Sequence, residues 1–223
     1  MIDYLCYYLA LIWLYSNIPE YLFETSKLKE KNDKKLKIMY KSYFICTIHS
    51  ILISYRIINF INDQNINCIN YIWLYSLAHY IYDLQYMIKV KNKLYILHHL
   101  LSIYLIVATI VFKINEIDFL YGYLYLEICI PLNNIGWIIN HHNKNIATYI
   151  FIPSNIIYLI CRGLLYPYQY LKLLQQITLP IFHYYIFFII LSAILLMSLI
   201  WCYKIFFYTI KSIKKIYYVK LKN

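Results

Sequence analysis

Apolar residues along this chain fall into seven blocks separated by short polar stretches. The blocks cover residues 4–18, 42–61, 69–88, 94–112, 119–139, 146–165 and 177–203. Their lengths lie near the ~20 residues an α-helix needs to cross a bilayer. The pattern predicts seven transmembrane helices and no soluble domain. The first block lacks the basic leader and small-residue cleavage site of a secretory signal, so we read it as a retained helix. Pro131, lying inside the fifth block, cannot donate a backbone hydrogen bond and is expected to bend that helix. Residues 24–41, 141–145 and 166–176 read as polar connections, and His141 and His142 as solvated loop residues.

The lysines test the span count. With seven spans, alternate connections lie on opposite sides, and 17 of the 19 lysines then fall on one side. Only Lys113 and Lys172 fall on the other. That asymmetry is what the positive-inside rule expects, and it places the N-terminus in the lumen and the C-terminus in the cytosol.

Composition agrees. The chain is 62% hydrophobic, above the roughly 45–50% of a soluble domain, which argues for a membrane solvent. The formal charge of +11 does not signal nucleic-acid binding, because the lysines sit between apolar blocks. The six cysteines are scattered without C-x-x-C spacing, so neither a disulfide framework nor a zinc site is indicated. Abundant Tyr, Ile, Asn and Lys reflect an AT-rich coding bias rather than function.

The chemistry lies in the few polar residues that enter the apolar blocks. Hydrocarbon offers imidazole or carboxylate no hydrogen-bond partner, so such residues must meet one another. At ~1.5 Å rise per residue, Asp83, His98 and Asn134 each lie roughly 8–9 Å from the lysine-rich end of their helices. His79 shares a face with Asp83 at i, i+4 and lies a turn deeper. Glu127, Arg162 and Arg56 form a second layer nearer the other end. An ion pair from Glu127 to one of the arginines would make both tolerable; otherwise each arginine snorkels to the interface. Glu127, Pro131 and Asn134 recur on one helix face and should line a cavity.

An aspartate before a short basic turn and a histidine pair after it (Asp83, then His98-His99) resembles the TLC-domain membrane proteins. The run Glu127, Pro131, Asn134 and Trp137, with Arg162 and Tyr166-Pro167 further on, is similar to the branch that does not make ceramide. Gly136 stands where that branch usually has arginine, and Cys129 where serine is common. The extended acidic motif of ceramide synthases is missing beyond Glu127.

The resemblance implies an all-α membrane protein in which six of seven helices form a barrel around a central cavity. It spans residues 40–208, leaving residues 1–39 as a helix and basic loop and 209–223 as a basic cytosolic tail. It implies an address in the endoplasmic reticulum or another endomembrane. The implied role is in membrane lipid homeostasis, with a lipid or acyl chain held in a cavity lined by His79, Glu127, Pro131, Asn133, Asn134, Trp137 and Arg162.

Two alternatives follow from the same likeness. One is a ceramide-synthase-like N-acyltransferase in which His98, His99 and Asp83 act on acyl-CoA, with no resident cofactor. A neutral imidazole oriented by a carboxylate can serve there as base or nucleophile. The other is a cargo receptor. Adjacent helical histidines diverge by about 100°, which makes a metal shared with Asp83 awkward, and no metal is assigned.

Overall fold

The computed structural model describes residues 5–10, 17, 34–63, 69–112, 114, 117–176 and 181–222. Eight α-helices follow the short N-terminal helical stretch at residues 5–10: α1 (Lys34–Asp63), α2 (Ile69–Lys89), α3 (Lys93–Val111), α4 (Ile117–Glu127), α5 (Ile130–His142), α6 (Lys144–Ile160), α7 (Tyr166–Gln176) and α8 (Ile181–Lys222). A π-helical turn, Cys161–Leu165, joins α6 to α7. No strand occurs among the described residues.

The helices make six passes, because α4 continues into α5 and α6 into α7. Packing closes them into a ring: α1 against α2, α2 against α3, α3 against α8, α8 against α6, α6 against α5, and α5 back onto α1. This is an all-α barrel. Four stretches among the described residues are long and apolar enough to cross a membrane by themselves: Leu36–Asp63, Lys93–Val111, Lys144–Gln175 and Phe182–Lys214. Large apolar side chains line the outside of the ring; Val111, Ile189 and Tyr185 are each at least 60% exposed, as a lipid-facing surface requires. The first predicted span lies mostly outside the described residues.

Local chemistry sets the breaks. Pro131 has no N–H to give the carbonyl of Glu127, and the helix is interrupted at Ile128 and Cys129. The fifth block is therefore two helices, α4 and α5, that meet at this break. The π turn relieves a second proline. An α-helical Pro167 would press its ring on the carbonyl of Gly163. Instead the N–H of Tyr166 reaches back five residues to the Cys161 carbonyl, widening the turn.

Three expectations need correction. Residues 166–176 are helix, not a connection, because the π turn lets the helix run past Pro167. His141 and His142 end α5, and His141 Nδ1 bonds the Trp137 carbonyl at 3.0 Å. The lysines at 34–41 lie in α1, and α8 carries the basic C-terminal residues to Lys222 without a break. In all of these, a helix continues beyond the apolar block that nucleates it, since charged side chains are good helix formers once they reach water.

The turn between α2 and α3 is tight. The N–H groups of Lys91 and Asn92 return to the carbonyls of Ile88 and Met87 at 3.0 and 3.1 Å. The Asn92 side chain caps α3 by accepting from the Tyr95 N–H. Lys91 takes a left-handed φ of 56°, a conformation that costs a side-chain residue roughly 1–2 kcal/mol. Lys91→Gly should therefore raise thermal stability in detergent by up to about 1 kcal/mol, read by intrinsic fluorescence on heating.

Gly136 of α5 packs against Phe151 of α6. A Cβ there would stand 2.9 Å from Cε1 of Phe151. Space, not backbone freedom, explains why a larger residue such as arginine is absent. Gly136→Ala should destabilise the bundle by about 1–3 kcal/mol, and the added Phe151→Leu should recover part of the loss in the same thermal assay.

Candidate functional site

The ring surrounds a chamber of about 330 Å³ into which several polar side chains project. The short turn between α2 and α3 places its centre. Asp83 lies six residues before the end of α2, and His99 six residues after the start of α3. Antiparallel packing then brings them to one level. His99 Nε2 lies 2.7 Å from Asp83 Oδ2, and both residues are buried. An ionised carboxylate only accepts, so Nε2 carries the hydrogen. Ser42 of α1 donates to the other carboxylate oxygen. His99 Nδ1 has no hydrogen-bond partner among the described residues.

His98 points elsewhere. Its ring lies edge-on to Trp201 of α8 with centroids 5.3 Å apart, and its Nδ1 also lacks a partner among the described residues. His79 is buried and stacks on His49 of α1 at 3.9 Å. His49 in turn meets the Tyr7 hydroxyl at 3.0 Å.

Glu127 is almost fully buried. It accepts from Ser50 at 2.6 Å and from the Tyr80 hydroxyl at 3.0 Å. The expected ion pair with an arginine is not made. Among the described residues, the ion pairs within 4.0 Å are His99 with Asp83 and, near the far end, Lys172 with Asp118. Arg162, placed by the π turn, instead donates to the Leu126 carbonyl, the Cys129 sulfur at 3.3 Å and the Tyr158 hydroxyl at 3.3 Å. Arg56 is exposed and lies over the Tyr75 ring at 4.7 Å. Similar depth in two helices does not fix which way their side chains face.

Asn133, Asn134 and Trp137 line the chamber from α5, together with Asp83, His79, His98, His99, Glu127 and Arg162. Asn134 also donates to the Tyr43 carbonyl at 3.2 Å, and Trp137 packs edge-on to Tyr43. Pro131 is not among the lining residues; it breaks the backbone one turn before them. The lining also includes residues that the sequence reading did not single out: Tyr80, Tyr95, Trp201 and Lys204. Ser42 and Ser50, equally unforeseen, hold the two carboxylates from behind.

A second and much smaller cavity, of about 50 Å³, opens from the same place. It shares Tyr80, His98 and Arg162 with the chamber and runs between Trp73, Leu105, Phe119, Tyr123, Leu173 and Leu191 toward the opposite end of the barrel. The polar chamber and the largely apolar slot thus meet at one imidazole, one phenol and one guanidinium.

The family model of the TLC domain matches residues 5–206, most of the chain. Searches of curated proteins and of solved structures each return no match. The closed ring, the Asp83–His99 pair and the extent of this match together place the chain in the TLC-domain family.

Proposed function

We propose that this protein binds a single membrane lipid inside the barrel and acts in membrane lipid homeostasis. The lipid's polar head occupies the chamber and an acyl chain enters the slot, whose apolar walls part to admit it, since the slot itself is only about 50 Å³. One observation carries this reading: a polar space and an apolar one are joined at Tyr80, His98 and Arg162. An amphiphile is the ligand shape that satisfies both. The membrane of residence is the endoplasmic reticulum or another endomembrane, with the N-terminus luminal and the C-terminus cytosolic, in keeping with the lysine asymmetry.

A second reading has its own support. In the Asp83–His99 pair, Nε2–H is committed to the carboxylate, which leaves the Nδ1 lone pair as base or nucleophile. That would suit N-acyl transfer from acyl-CoA to a long-chain base. The missing second acidic motif weighs against it.

Lipid mass spectrometry of the purified chain tests the first reading. The wild type should carry one dominant lipid. Leu105→Trp, which fills the slot without touching the polar residues, should lose most of it. Unchanged lipid content in Leu105→Trp would refute the placement of the chain.

Incubation with labelled acyl-CoA and a long-chain base tests the second. If amide forms, His99→Ala should lower its rate by about 10²–10⁴-fold. His98→Ala should lower it less, because His98 has no carboxylate partner. Retention of particular secretory proteins after gene deletion, with no bound lipid, would instead favour cargo handling.

A further inference from the structure

We propose a second lipid site, separate from the barrel interior: a cleft on the outer surface, between α6 and α8 at the lysine-rich end, that takes the phosphate of an anionic phospholipid. The cleft encloses about 500 Å³ and is lined by Asn140, Lys144, Thr148, Tyr208, Lys211 and Ser212. It lies apart from the polar chamber, and no residue lines both.

Three observations converge on this assignment. First, two ammonium groups from different helices, Lys144 and Lys211, border one hollow. The helices are held in register near this point, where Asn155 donates to Thr209 at 2.9 Å. The amide of Asn140 and the hydroxyls of Tyr208 and Ser212 add neutral donors. Thr148 does not, since its hydrogen is committed to the Lys144 carbonyl at 2.8 Å.

Second, the described lining of the cleft supplies no counter-charge. None of the lining residues is acidic, and no residue after Glu127 is Asp or Glu. That later part of the chain nevertheless carries Arg162 and eight lysines. The two cations of the cleft therefore have no carboxylate on either helix, and the hollow between them is suited to an anion.

Third, the cleft has an apolar wall of its own: the Tyr208 ring, nearly half exposed, lines it. A ligand seated here has hydrocarbon beside it as well as cations, which fits a phospholipid better than a free ion. Lysines near a bilayer surface each attract anionic lipid by an amount that multiplies affinity several-fold.

The test uses the full-length protein in detergent with added phosphatidylserine, followed by native mass spectrometry of bound lipid. The double variant Lys144→Gln/Lys211→Gln should lower lipid occupancy by roughly tenfold or more. Lys144→Arg/Lys211→Arg should keep it. The pair Lys89→Gln/Lys91→Gln removes the same charge at the same end of the barrel and should leave binding within about twofold, since those lysines lie outside the cleft. Unfolding temperatures of the glutamine variants should match the wild type. If either were destabilised, the arginine pair set against wild-type protein at raised salt would still separate charge from folding. Equal losses in both glutamine pairs would overturn the proposal in favour of a diffuse field. So would undiminished binding in the first pair, or protection of the cleft by millimolar inorganic phosphate with no phosphatidylserine bound.

Discussion

The barrel depends on burying two carboxylates at membrane depth, where no water can serve them. A charge left unpaired in such a medium costs several kcal/mol even after relaxation. Each carboxylate is met by two donors, at least one of them from another helix. Asp83 of α2 takes Ser42 of α1 and His99 of α3. Glu127, at the end of α4, takes Ser50 of α1 and Tyr80 of α2. The two networks bond α1 to α2 and α4, and tie α3 to α2 through Asp83. Apolar packing alone gives weak specificity between helices in lipid, since lipid tails are as apolar as leucine. The polar networks therefore determine which helix faces which, and the chamber is the space left among them.

Irregular backbone follows the same constraint. Non-helical geometry at membrane depth is tolerated where protein or a cavity surrounds it. Both irregularities lie against the chamber. The break at Ile128 and Cys129 follows Glu127, and the π turn carries Arg162. The carbonyl of Leu126, at the break, accepts from Arg162 itself. One defect in the helical ladder thus helps satisfy the side chain presented by the other. The barrel keeps a guanidinium at depth through neutral acceptors and the faces of Tyr158 and Trp201, without a direct carboxylate partner.

What the sequence revealed depended on the kind of signal. Depth was legible, because counting residues from the lysines places Asp83, His98 and Asn134 at one level with no knowledge of packing. Direction was not. Glu127 and Arg162 sit at related depths yet turn to different partners, and only the packed ring says which. The hydroxyl donors were invisible for another reason. Tyr80 is one of 29 tyrosines, and Ser42 and Ser50 are small residues in a block where serine needs no explanation. Helix ends were misplaced at residues 34–41 and 166–176 because apolar runs report where lipid begins, whereas helices end where caps or prolines stop them.

The histidine pair shows how one helix can serve two spaces. Adjacent residues on a helix diverge by about 100°, so only one of them can face Asp83. His99 does, and its ring is fixed by a charged hydrogen bond. His98 is turned toward Trp201 and forms part of the junction with the apolar slot. The pair is therefore a divider rather than a duplicated group: one imidazole anchored in the polar chamber, the other at the boundary where polar lining gives way to hydrocarbon. A ligand crossing that boundary would pass both rings in turn. This arrangement gives adjacency a physical purpose, since two histidines separated by a helical turn would lie on the same face and could not mark both sides of it.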